Sequence, residues 1–150
     1  MSSSITVPSQ FGWVIGAIVS TAWLGAWQSL RVGVARRAAG VAYPQAYAET
    51  AEAEKSEAAF RFNCAQRAHA NTLESIPYVI TTGLIWGLKQ PLYSAIALEI
   101  WVLTKVWYTY GYIKNGPKGR YAGGSPNQIA MLALFGGGTW AALKFIVDSL

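Results

Sequence analysis

The sequence predicts an all-α integral membrane protein with four spanning helices, and three observations point there. Only 13% of the residues are charged, against roughly a quarter in an ordinary soluble domain, while 53% are apolar. Those apolar residues gather into long runs with little or no charge. The basic residues fall between the runs instead of forming one periodic stripe, so the net charge of +5 indicates membrane topology and not a nucleic-acid surface. At 150 residues the chain is a single domain, 1–150. Its one cysteine, Cys64, excludes an internal disulfide and a cysteine-based metal cluster. His69 is the only histidine, so no metal site is expected.

The start of the chain, MSSSITVPSQ, has no Lys or Arg, unlike the basic end of a cleaved signal peptide, and Ser9 is placed to cap a helix. Phe11 to Leu30 is uncharged and about the ~20 residues that cross the hydrocarbon core, giving a first span over about 11–34. Trp13 and Trp27 suit the two membrane interfaces, with Trp23 deeper. Pro44 bars a helix through AGVAYPQAY, and Glu49, Glu52, Glu54, Lys55 and Glu57 belong to a solvated loop or a short surface helix.

The second span covers about 62–88 and is half polar at its start. Lys89, Gln90 and Pro91 turn the chain, with Pro91 suited to the first turn of the third span, about 92–112. Glu99 and Lys105 interrupt that span. Being six residues apart, about 600° of helical rotation, they do not face each other, and structural pairing with other helices is expected for both. KNGPKGRYAGGSP reads as a loop rich in Gly, Pro and basic residues. The fourth span, about 127–147, contains Gly136, Gly137 and Gly138, small residues that allow close helix approach.

With four spans, the first and third connections lie on one side. They and the adjoining helix ends hold Arg31, Arg36, Arg37, Lys55, Arg61, Arg67, Lys114, Lys118 and Arg120, while the other side has Lys89 and Lys144. The positive-inside rule makes the first side cytoplasmic and turns both termini away from it.

The polar residues converge on that face. In FNCAQRAHANTLESIP, Arg67, Asn71 and Glu74 stand at i, i+4 and i+7 and share one helix face. A polar stripe in a membrane needs a partner, either another helix or a polar ligand. Tyr108 and Tyr112 form an i, i+4 pair nearby, Arg120 follows, and Arg36, Arg37 and His69 lie at the same level. Such a site suits a small ligand with two carboxylates and an ammonium: arginines for the carboxylates, Glu74 for the ammonium, Asn71 and the tyrosines for neutral hydrogen bonds. The alternative is that the basic residues set topology and touch anionic lipid headgroups, and that the tyrosines are interfacial belt residues.

Three motifs, ARRAAGVAYPQAY, FNCAQRAHANTLESIP and YTYGYIKNGPKGR, touch three of the four spans. In order and spacing they resemble the superfamily of membrane-associated proteins in eicosanoid and glutathione metabolism, most closely its microsomal glutathione S-transferase type 3 branch. The middle motif is the specific one. The resemblance implies a homotrimer of four-helix subunits binding glutathione between neighbours near the cytosolic face. By motif, Arg67, Asn71, Glu74, Tyr108, Tyr112 and Arg120 would line the site from one subunit, and Ser29, Arg36 and His69 from the next. The thiolate-stabilising arginine falls on Arg120 if the loop carries one extra residue, since shorter relatives place it at Gly119; Lys118 is the fallback. His69 stands where leukotriene-forming relatives have Gln, and Ser75 where they have a ligand-contacting Tyr.

The implied activity is conjugation of glutathione to a lipophilic electrophile, with reduction of a lipid hydroperoxide or leukotriene formation also compatible. Arg37 is the candidate general acid or charge stabiliser for the second substrate, and Cys64 is expected to be a packing thiol because glutathione supplies the sulfur. The resemblance puts the protein in the endoplasmic reticulum or outer mitochondrial membrane, among membrane lipids and without nucleic-acid partners. The rival expectation is a non-catalytic lipid-presenting scaffold of the same fold.

Overall fold

A computed structural model describes residues 6–150, and the described chain is helical with no strand. Helix α1 is Phe11–Ala39, α2 Thr50–Lys55, α3 Glu57–Gly87 and α4 Pro91–Asn115. A 3-10 helix, Gly116–Arg120, leads directly into α5, Tyr121–Asp148. Helix α1 packs on α3 and α4, α3 also packs on α4 and α5, and α4 on α5, while the short α2 lies against α3.

Local chemistry sets the ends. Helix α1 runs until Gly40, whose φ of 68° is the left-handed conformation that closes a helix, and its N–H reaches back to the carbonyls of Arg36 and Arg37. Glu49 and Glu52 form a reciprocal capping box on α2. Ser56 accepts the Ala59 N–H at 3.3 Å to cap α3, and Pro91 opens α4 as expected. Two expectations fail here. The residue before α1 is Gln10, not Ser9, and it makes no side-chain cap. The Gly- and Pro-rich segment after the third span is no open loop, because the turn at Gly116 (φ 64°) is followed at once by helical backbone. Helices α1, α4 and α5 run past the ends of the apolar spans, and α3 starts before its span and closes at Gly87.

These four helices have 25 to 31 residues, long enough at about 1.5 Å per residue to cross a ~30 Å hydrocarbon core. Only α5, over Gly123–Asp148, is also apolar enough on hydropathy alone among the described residues. Trp, Tyr, Gly and Ser dilute α1 and α4, and the charged and amide residues of its first half dilute α3. The outward faces remain apolar: Trp13, Trp23, Leu103, Ile129 and Leu132 are all exposed. Helices apolar outside as well as inside suit lipid or another subunit better than water.

Inside, Val14, Leu24, Val79, Leu98, Trp101 and Leu134 form the main core. One buried polar residue ties three helices together. Gln28 of α1 donates from Nε2 to Thr72 Oγ1 of α3 at 2.9 Å and to Thr109 Oγ1 of α4 at 2.7 Å. Both hydroxyls spend their own protons on backbone carbonyls of Ala68 and Lys105, so each can only accept from the amide. The Gln28 Oε1 is left without a partner.

Glycines set the α4–α5 and α3–α5 spacing. A Cβ on Gly123 would strike the Tyr108 backbone N and the Thr104 carbonyl, and one on Gly137 or Gly138 would strike Trp86 or Thr82. Gly136, expected to share in this close approach, instead faces open space. Gln28→Ala is expected to destabilise the protein by about 2–4 kcal/mol in thermal unfolding in detergent, through two lost hydrogen bonds and a cavity. The exposed Ser29→Ala should stay within about 0.5 kcal/mol. In the same assay Gly123→Ala should lose about 1–3 kcal/mol by overpacking, whereas Gly136→Ala should be neutral or gain up to about 1 kcal/mol.

Candidate active site

The stripe on α3 is a real face of that helix. Arg67 Nη1 donates to Glu74 Oε1 at 2.9 Å across two turns, with both side chains about half exposed (48% and 58%). Such a pair is worth little for stability and can open to a ligand. Between them on the same face, Asn71 Oδ1 accepts a hydrogen bond of 2.6 Å from Lys105 Nζ of α4. Tyr108 and Tyr112 follow on α4, both buried, with ring centroids 5.7 Å apart. Burial removes these tyrosines from the interfacial belt. Cys64 and Ala68 of α3 pack against them, and the Cys64 thiol is buried as expected.

Arg120 closes the 3-10 helix. Its guanidinium lies 5.2 Å from the centroid of the Tyr121 ring, and Nη2 donates to the Tyr121 hydroxyl at 3.4 Å. That hydrogen bond raises the Arg120 pKa above an already high value, so the charge persists at every physiological pH.

Two adjoining cavities open between α3, α4 and α5. One, of about 350 Å³, is lined by Asn71, Tyr108, Arg120, Tyr121, Gly124, Ser125, Asn127 and Gln128. The other, of about 630 Å³, is lined by Asn71, Glu74, Ser75, Tyr78, Lys105, Asn127, Gln128, Met131 and Phe135. Asn71, Asn127 and Gln128 belong to both, so the pair forms one cleft with a cationic end and an apolar end. The close backbone approach at Gly123 brings α5 near enough to α4 for this.

Of the residues named from sequence, Asn71, Glu74, Tyr108 and Arg120 line the cleft, with Arg67 bound to Glu74 and the Tyr112 ring packed at a tilt of 57° against Tyr108. Lys118 does not line it. Arg36 lies elsewhere and is buried, donating to the Gln45 carbonyl at 2.6 Å with its guanidinium over Tyr43 and Phe62. Ser29 and Arg37 are exposed on α1, and His69 is half-buried on α3. A separate groove of about 550 Å³, lined by Trp27, Leu30, Arg31, Val34, Arg61 and neighbours, contains none of these site residues.

Sequence reasoning missed Lys105 as a cleft residue, and Asn127, Gln128, Tyr121 and Ser125 entirely. A signal was present for two of them. Lys105 precedes Tyr108 by three residues, which places both on one helix face, and Asn127 opens an otherwise apolar run.

Hydrogen-bond direction fixes the polarity of the cleft. An ammonium only donates, so Asn71 turns Oδ1 to Lys105 and leaves Nδ2 free to donate. Asn127 Nδ2 donates to the Trp101 carbonyl, an acceptor only, and to Thr104 Oγ1, both at 3.2 Å, so its Oδ1 is the atom left to accept. Two cations, Lys105 and Arg120, and one carboxylate, Glu74, line the cleft, and a third cation, Arg67, is paired with Glu74. A small anionic ligand with one cationic group fits that balance.

Comparison with known proteins agrees in kind: a family model described as the MAPEG family matches residues 14–140. The packing of Cys64 has a direct check. A water-soluble maleimide should label it at least about tenfold more slowly in the folded protein than after unfolding, because the thiolate must be reached to react.

Proposed function

Because the chain belongs to the MAPEG family, whose members are membrane proteins of glutathione and eicosanoid metabolism, we propose that it is a membrane-bound glutathione transferase. Within the family its motifs favour the microsomal glutathione S-transferase type 3 branch. The observation that carries the proposal is the cleft that joins Asn71, Tyr108, Lys105 and Arg120 in one cationic space beside an apolar wall. In this reading four helices cross the membrane, the subunits assemble as a trimer, and the cleft faces the cytosol of the endoplasmic reticulum or outer mitochondrial membrane. The basic residues at that end and the apolar outward faces support it.

Glutathione would lie with its carboxylates toward Arg67 and Asn71, its ammonium toward Glu74 and its sulfur beside Arg120. Ser29, Arg36 and His69 would complete the site from the adjacent subunit, where Arg36 would have to leave its present hydrogen bond. A free thiol ionises near pH ~8.5, and the thiolate is the nucleophile. A fixed positive charge at the sulfur favours the anion. Lowering the pKa by about two units, or about 2.7 kcal/mol, raises the thiolate fraction at neutral pH roughly 25-fold. The thiolate then forms a carbon–sulfur bond to a lipophilic electrophile arriving from the bilayer, and the leaving group takes the bonding pair; Arg37, exposed on α1 outside this cleft, would stabilise that charge from an adjacent subunit. With a lipid hydroperoxide, the thiolate attacks the outer peroxide oxygen, forming the sulfenic acid and expelling the lipid alkoxide, which takes up the proton released when the thiol ionised and leaves as the alcohol. A second glutathione then converts the sulfenic acid to the disulfide and water.

Ultraviolet absorbance of the purified protein with glutathione tests this. A thiolate band at neutral pH is expected in the wild type and in Lys118→Ala. Arg120→Ala should lose the band, and its kcat/KM should fall at least about tenfold. Glutathione binding without a band in the wild type would favour the lipid-presenting scaffold, and no binding would contradict the proposal.

A further inference from the structure

Lys105 is a buried cation that the proposed chemistry does not use. Its side chain sits in the middle of α4, 2% exposed, and no carboxylate lies within 4.0 Å of it among the described residues. Glu74, the nearest acid in the cleft, is held by Arg67 at 2.9 Å. The Lys105 ammonium instead donates to Asn71 Oδ1 at 2.6 Å and lies 5.0 Å from the Tyr108 ring and 5.5 Å from the Trp101 ring. Aromatic faces and one amide offset only part of the cost of withdrawing a charge from water. A lysine kept only for stability would be better replaced by an apolar residue of similar length. Its contact, however, has a directional effect: a group that can only donate fixes which way the Asn71 amide points.

We propose that Lys105 is a positioning residue for ligand binding: it locks the Asn71 amide with Nδ2 facing the cleft, ready to donate to a carboxylate of glutathione. The proposal rests on the reading of the cleft as a glutathione site. Without the ammonium, the Asn71 amide is free to rotate and present its oxygen to the ligand, replacing a hydrogen bond with a repulsive contact. The positive charge beneath the amide also polarises it, which strengthens donation from Nδ2. Because this contact is made to a part of glutathione remote from the sulfur, it acts on binding and leaves the chemical step alone.

The test is calorimetric binding, steady-state kinetics and thermal unfolding of the detergent-solubilised protein. The variants are Lys105→Met, Lys105→Arg, Asn71→Ala and the Lys105→Met/Asn71→Ala pair. Lys105→Met is expected to raise both Kd and KM for glutathione about tenfold, the loss of one hydrogen bond to a charged group, with kcat within about threefold. Its melting temperature should not fall, since an unpaired buried charge has gone. Lys105→Arg, which also only donates, should recover most of the affinity. The double variant should bind no worse than Asn71→Ala alone, because the two act through one contact. Wild-type affinity in Lys105→Met, independent multiplying losses in the double variant, or a loss that follows a lowered melting temperature and is not restored by Arg would each overturn the proposal. If Lys105→Met does not fold, Lys105→Gln takes its place, with a loss of about threefold or more expected and unchanged affinity overturning it. A wild type that binds no glutathione would overturn the functional reading together with this one, whereas wild-type binding that Lys105→Met retains overturns this one alone.

Discussion

The hydrogen bonds from Gln28 to Thr72 and Thr109 set the relative heights of three helices, and the cleft inherits its geometry from them. In a surrounding without competing water, helix faces of Ala, Val and Leu slide past one another with little penalty, and small residues only set how close they come. A buried amide that must meet two hydroxyls removes that freedom. Thr72 is the neighbour of Asn71 in α3, and Thr109 is the neighbour of Tyr108 in α4. Fixing the first member of each pair fixes the level of the second. The unpartnered Gln28 Oε1 shows that this register is held at some expense.

From that register follows the next layer. Lys105, one turn before Thr109 on α4, arrives level with Asn71 and donates to it at 2.6 Å. Gly123 lets α5 approach the α4 backbone, which brings Asn127 to the Trp101 carbonyl and Thr104 and leaves its oxygen toward the same space. The 3-10 helix returns Arg120 beside Tyr121 at the mouth. Each contact is ordinary by itself. Their joint result is a cleft in which the Asn71 and Asn127 amides each have one allowed direction, the preorganisation that selective binding requires.

Much of this was legible in the sequence, and what was not has physical causes. The i, i+4, i+7 stripe of Arg67, Asn71 and Glu74 and the Tyr108–Tyr112 pair follow from helical periodicity, which depends on local sequence alone. The helix ends do not coincide with the ends of the apolar runs, because hydropathy marks where a membrane stops, whereas a helix stops at a residue such as Gly40 or Gly116 that changes the backbone angle. The segment after α4 reads as a loop from its glycines and prolines, yet its Gly119 and Gly123 serve instead to let backbones touch, against Gly111 and Tyr108 of α4. Lys105 is expected from sequence to pair with another helix, and it does, but which residue it meets is not legible there. Its true partner, Asn71, is 34 residues away, and no periodic pattern within one helix can reveal that contact.

A structure of the protein in lipid nanodiscs with glutathione bound would test the central claim most directly. Expected is ligand density within the cleft between α3, α4 and α5, with a carboxylate at hydrogen-bond distance from Asn71 Nδ2 and the sulfur next to the Arg120 guanidinium. Glutathione seated in the apolar groove of Trp27 and Arg31, or bound with Asn71 and Arg120 untouched, would contradict it.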